Sequence, residues 1–159
     1  MSNTRKPVFM RLAIREALKN VRKPQGGPFG ACIVKKGRVL AAARNTVLRQ
    51  DATCHAEMNA IRAASRKLRS FNLSGCVIYS TTEPCPMCFA AIHWARISRV
   101  VYGTTIKDVA KLGFNELDIP NLKMKKLGKS GVRVYPGFLR GECRVLLKTW
   151  QDAGRREVY

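Results

Sequence analysis

The sequence predicts an α/β domain of three layers, and three observations predict it. Short apolar runs of strand length alternate with longer segments of helical period. Gly and Pro clusters separate the runs, as at Pro24 and Gly26-Gly27-Pro28. Hydrophobic residues make up 46% of the 159 positions, enough for a substantial core and too many for a disordered basic tail. A chain of this length is read as a single domain over residues 1–159.

The elements follow in order. Val8 to Val21 carries apolar residues at Val8, Phe9, Leu12, Ala13, Leu18 and Val21, close to helical spacing, and the Pro24 to Pro28 cluster ends it. Phe29 to Val34 and Val39 to Arg44 read as two strands about a Lys36-Gly37 turn. Their nearly continuous apolar character predicts a sheet covered on both faces. Thr53 is the expected cap of a helix running through His55, Ala56, Ala60, Ile61, Ala64 and Leu68. Val77 to Thr81 is the third strand, Cys85 to Ala95 a helix, and Arg99 to Gly103 the fourth strand. Ile106 to Leu112 is a short helix, Val132 to Tyr135 the fifth strand, and Leu139 to Trp150 a closing amphipathic helix. Asn115 to Ser130 is expected to be a long loop with short helical pieces.

Composition narrows the setting. The longest apolar runs, Val39 to Ala43 and Cys88 to Ile92, are far too short to span a bilayer. The stretch from Met1 to Arg11 lacks an apolar signal region, so a cytoplasmic protein is expected. There the six cysteines point to metal ligation or catalysis before disulfides. Lys and Arg number 30 against 10 acidic residues, a net charge of +20, and only Glu16 offsets it in the first 50 positions. Arg11, Arg15 and Lys19 recur every four residues, as do Arg140, Arg144 and Lys148, while Lys123, Lys125, Lys126, Lys129 and Arg133 load a polar stretch. Such a field attracts phosphate-bearing partners, tRNA or another nucleic acid among them, although a solvated surface accounts for any single stripe.

The chemistry concentrates in two short motifs. His55-Ala56-Glu57 opens one helix and Pro84-Cys85-Pro86-Met87-Cys88 opens another. Cys85 and Cys88, three apart, share a face in the first helical turn, where the helix dipole favours thiolates. One imidazole and two thiolates suit Zn²⁺ and leave a fourth tetrahedral position open, as in a catalytic site. Glu57 would stand beside that position and carry protons rather than bind the metal. A closed zinc staple would need Cys32, Cys54, Cys76 or Cys143 as a fourth ligand, and it would leave Glu57 without a role. His93, in the middle of an apolar helix, is expected to be a packed or hydrogen-bonded core residue rather than a ligand.

His-x-Glu followed by Pro-Cys-x-x-Cys resembles the signature of the zinc nucleobase deaminases, and the likeness to the cytidine-deaminase-like superfamily runs from about Leu12 to Trp150. The resemblance implies a five-stranded mixed sheet between helices, with both zinc motifs at helix starts. Within the superfamily the chain is similar to the guanine and guanosine deaminases in Gly26 to Ala31, Glu83 to Cys88, Ala91 to Arg96, Gly113-Phe114-Asn115-Glu116 and the terminal Glu157-Val158-Tyr159. That similarity implies a second proton shuttle at Glu116, a purine-binding amide at Asn45, and pocket aromatics at Phe29, Trp94 and Tyr159. It also implies a homodimer in which an exchanged C-terminal helix lets Tyr159 close the partner's pocket. Asn115 stands where an acid is usual, Ala52 where proline is frequent and Cys54 where alanine is common.

The resemblance thus implies a zinc-dependent hydrolase that removes the exocyclic amine of a purine base or nucleoside, guanine to xanthine first among them. A tRNA adenosine deaminase acting on a flipped anticodon base is the alternative, sharing the zinc motifs and favoured by the +20 charge. A cytosine or cytidine deaminase with a smaller pocket is a third reading, and a non-enzymatic zinc module that binds nucleic acid a fourth.

Overall fold

A computed structural model of the protein describes residues 5–154 and 158–159. Glu157, part of the terminal motif, lies outside the described residues, as do residues 1–4. Five strands form one sheet in the order β2-β1-β3-β4-β5. These are β1 (Gly30–Lys35), β2 (Arg38–Arg44), β3 (Cys76–Thr82), β4 (Arg99–Thr104) and β5 (Arg133–Tyr135). β1 runs antiparallel to both β2 and β3, whereas β3, β4 and β5 are parallel, so the sheet is mixed. The β1–β2 hairpin turns through Lys36 (φ 49°) and Gly37 (φ 76°), the two positive dihedrals that a tight two-residue turn requires.

Six helices cover the sheet: α1 (Pro7–Arg22), α2 (Ala56–Leu68), α3 (Pro86–Trp94), α4 (Ile106–Ala110), α5 (Asn121–Leu127) and α6 (Arg140–Asp152). The strands show why both faces must be covered. On β1, Ala31 and Ile33 point into the core shared with Ala56, Ala60, Phe89 and Ile92 of α2 and α3. Cys32 and Val34 point the other way, towards Phe9, Met10 and Ala13 of α1 and Cys143 of α6. Ile78 and Val100 repeat the first assignment, Tyr79 and Val101 the second. Two glycines set the closeness of the layers. A Cβ at Gly30 would overlap the Ala13 carbonyl of α1, and one at Gly103 would overlap the Cys143 sulfur of α6.

Three local expectations change. The N-cap of α2 is His55, because Thr53 is held outside the helix by Asp51, whose Oδ1 accepts from its N–H (2.7 Å) and its hydroxyl (2.6 Å). The stretch from Asn115 to Ser130 is a loop with one short helix, α5, begun by Pro120, as expected. β2 is an edge strand that buries only Ala41, so its apolar run is not covered on both faces along its length. His93 is exposed rather than part of the core, and its Nδ1 lies 3.0 Å from the Ser130 hydroxyl. Among the described residues, no helix is long and apolar enough to cross a membrane.

Candidate active site

α2 and α3 begin against one another at the end of β3. His55 caps α2, and Glu57 lies two residues on in its first turn; Cys85 caps α3, and Cys88 is its third helical residue. Pro86 takes the first helical position of α3, where its missing N–H costs nothing. The His55 Nδ1 lies 3.6 Å from the Cys85 sulfur, and ligand atoms of His55, Cys85 and Cys88 all fall within 4.8 Å of one another. The cap-and-third-residue spacing that aligns the two sulfurs is the one expected from the sequence.

The electrostatics of the trio favour a cation. A hydrogen bond from the Cys88 thiol draws Cys85 down to about 4, with burial opposing and His55 adding to the fall. The same bond, with burial, pushes Cys88 well above the ordinary thiol range. Burial pulls His55 downwards, but its bond to Cys85 and the charges of Glu57, Cys85 and Glu116 leave it raised. One imidazole and two sulfurs, one of them readily ionised, form a donor set that fits zinc.

Glu57 is 6% exposed. The Ser80 hydroxyl donates to its Oε1 at 2.8 Å, and the Cys88 thiol lies 3.6 Å from its Oε2. Burial raises this carboxyl above the usual range, opposed by His55. Glu116 lines the same pocket and is also raised, by burial first and then by Cys85 and Glu57, with His55 opposing.

The remaining walls come from the loops after α1 and β2 and from the chain end. Asn45 is fully buried; its Oδ1 accepts from the Val47 N–H at 3.0 Å, and its Nδ2 has no hydrogen-bond partner among the described residues. Gly26 sits so close that a Cβ there would overlap Asn45 Oδ1. The Tyr159 hydroxyl accepts from the Gly27 N–H at 3.1 Å, and burial raises its pKa to about 12. Phe114 makes edge contacts with Phe29 (5.1 Å) and Tyr159 (5.5 Å).

His55, Cys85, Cys88, Glu57, Glu116, Asn45, Phe29 and Tyr159 therefore converge. Trp94 does not. It stands at the far end of α3 from Cys85, about 13 Å along a helix of 9 residues, 76% exposed beside Phe71 and Arg96. Its place in the sequence, late in a helix whose start carries the ligands, sends it to another surface. Tyr159 lines this pocket beside Phe29 and Glu116.

Three contributors escaped sequence reasoning. Ser80 opens the polar end, Ser80-Thr81-Thr82, of a strand that begins apolar, a signal that could have been read. Asn20 continues the buried stripe Ala13, Ala17 on α1, and its Nδ2 donates to the Gly27 and Asn45 carbonyls at 2.8 and 2.9 Å. Glu83 had no signal beyond its place beside the motif; its carboxylate is buried among donors from three separate elements.

Comparison with known proteins agrees with this geometry. Residues 3–104 match the family model of the cytidine and deoxycytidylate deaminase zinc-binding region. The chain is 43% identical over 109 residues to the guanine deaminase of Bacillus subtilis, covering 68% of this chain and 70% of that protein. It is 41% identical over 120 residues to a tRNA-specific adenosine deaminase of Aquifex aeolicus, covering 74% and 79%. The solved guanine deaminase of Nitrosomonas europaea superposes with a TM-score of 0.83 at 29% identity, covering 92% of this chain and 85% of that one.

Proposed function

The chain belongs to the cytidine and deoxycytidylate deaminase zinc-binding family and is a hydrolytic C–N deaminase, and from that premise we propose that it deaminates an amino-purine, guanine to xanthine or guanosine to xanthosine, with release of ammonia. The observation that carries the substrate is Glu116: a second, half-buried acid lines the pocket of Glu57, beside the Asn45 amide and the Tyr159 phenol.

His55, Cys85 and Cys88 would hold zinc, which would supply Lewis acidity to the attacking water. Glu57 takes a proton from the attacking water and delivers it to a ring nitrogen. A carboxyl raised by burial is suited to both halves of that exchange. Ser80 holds its Oε1 and leaves Oε2 to move the proton. Glu116 protonates the departing amine while Glu57 takes the proton from the new C–OH as the C=O forms, and return of that proton to Glu116 resets both acids. Asn45 Nδ2 donates to an acceptor on the purine, Phe29 flanks the ring, and Tyr159 closes the pocket against water.

The test is ammonia release by the zinc-loaded protein given guanine, guanosine and adenine, with an anticodon stem-loop alongside. Turnover of guanine or guanosine is expected. Inosine formed in the stem-loop alone would transfer the assignment to a tRNA adenosine deaminase, the reading that the +20 charge favours. Uracil or uridine formed from cytosine or cytidine alone would make it a pyrimidine deaminase.

The same reading includes a cytoplasmic homodimer. Phe71 and Trp94, 67% and 76% exposed, stand together beside Ile61 and Ala91 on the α2–α3 face and offer a surface for a second copy. Light scattering should give twice the chain mass, and Trp94→Glu should return it to the single-chain value.

A further inference from the structure

We propose that Glu83 is the positioning residue for Glu116, a role that rests on reading Glu116 as the second acid. Its one carboxylate holds both ends of the segment that carries Glu116. Glu83 Oε2 accepts from the Ile106 N–H at 3.3 Å, where the chain leaves β4 for α4. Oε1 accepts from the Asn121 N–H at 2.9 Å, where α5 begins, and from the Tyr102 hydroxyl at 3.1 Å. The residues between pass through a left-handed Gly113 (φ 99°) and an irregular stretch that brings Glu116 to the pocket.

Glu116 depends on this arrangement, because its own carboxylate has no hydrogen bond or ion pair among the described residues. Only its backbone is held, by the bond from its N–H to the Phe114 carbonyl at 3.0 Å. Phe114 and the bond from the Asn115 N–H to the Tyr159 carbonyl (3.2 Å) fix the segment against the pocket wall. Its two ends answer to Glu83. The clamp also reaches the metal ligands: Asn121 Nδ2 donates to the Pro84 carbonyl at 2.6 Å, one residue before Cys85. One buried carboxylate, 6% exposed, thereby relates the second acid to the zinc site. A glutamine cannot replace it, since its NH₂ would face an N–H or O–H donor in either orientation.

The experiment is a double-mutant cycle in the zinc-loaded protein, with guanine as substrate. Glu83→Gln should lower kcat about tenfold or more, with KM changed less than about twofold and zinc content unchanged. In a Glu116→Gln background the same change should cost less than about twofold further. Multiplicative losses in the double variant, or zinc lost in step with kcat, would overturn the proposal. If Glu116→Gln alone keeps full kcat, the reading of Glu116 fails, and the proposal falls with it by a separate route. A second pair covers misfolding of Glu83→Gln. Asn121→Ala removes only the amide, whereas Asn121→Pro also removes the N–H that Glu83 binds, at a first helical position that tolerates proline. The proline variant should turn over about fivefold more slowly than the alanine variant; equal rates would overturn the proposal.

Discussion

Glu57 and Asn20 are both buried polar residues, yet they support different measurements. Glu57 keeps one oxygen on the Ser80 hydroxyl and the other on the Cys88 thiol and lies outside the ligand trio, so its loss removes proton transfer without removing a metal ligand. Glu57→Gln should lower kcat by about 10²–10⁴-fold with zinc content unchanged, as read by metal analysis beside a turnover assay. Asn20 acts at a distance. Its two N–H bonds hold the Gly27 and Asn45 carbonyls, and through them the Tyr159 contact and the Asn45 amide. Asn20→Asp would set a carboxylate oxygen against two carbonyls and should cost about 2–4 kcal/mol in urea unfolding, with a raised KM for guanine. The zinc trio and Glu57 were readable from the sequence because their spacing alone puts them on two helix starts. Asn20 and Glu83 were not, because their partners lie 5 to 38 positions away along the chain, on other elements.

The helices are placed by backbone approach as much as by side chains. α1 rests on β1 at Gly30, where a methyl would meet the backbone carbonyl of Ala13. Gly30→Ala should therefore destabilise by about 1–3 kcal/mol, visible as a lowered urea midpoint. α4 is tied down by a capping box between Thr105 and Asp108, and Asp108 also meets Arg140 of α6 at 2.8 Å. Burial pushes the Asp108 carboxyl upwards, but its bonds to Thr105 and Arg140 outweigh it and leave the pKa lowered. The sign follows. A carboxylate held below its unfolded value, about 3.9, stabilises the fold above that pH and stops doing so as pH falls through its folded value. Asp108→Asn should lower Tm by about 2–4 °C at pH 7, with the difference shrinking as pH falls below about 3.9, as thermal melts would show. The element boundaries were legible wherever apolar period and Gly or Pro punctuation agreed. α5 was legible only as a short helical piece without bounds, because three lysines, Lys123, Lys125 and Lys126, interrupt its apolar face, and contact with α3 and Glu83 sets it.

At the scale of the molecule, the charge and the metal separate the two leading substrates. Part of the basic excess is engaged between helices, as in the Arg11–Glu142 pair at 2.9 Å linking α1 to α6. Exposed pairs of this kind add little stability, so the surplus describes a surface rather than a fold. If the field serves RNA, affinity for an anticodon stem-loop should fall at least tenfold between about 50 and 200 mM salt, while KM for guanine stays flat. Removing zinc with a chelator should abolish turnover and lower Tm, and zinc alone among added divalent ions should restore both fully. A chelated protein that keeps its activity would contradict the site as described.

The sequence by itself determined the three-layer α/β class, the strand and helix order, the zinc trio and the acid beside it. Each of these rests on local period, cap position or short spacing, which act within a few residues. Only the tertiary structure decided that Trp94 stands on another surface, that Asn45 is buried against Gly26, and that Glu83 and Asn20 hold the pocket. Those outcomes depend on which distant backbone groups lose water together, and burial of that kind is a property of the assembled layers.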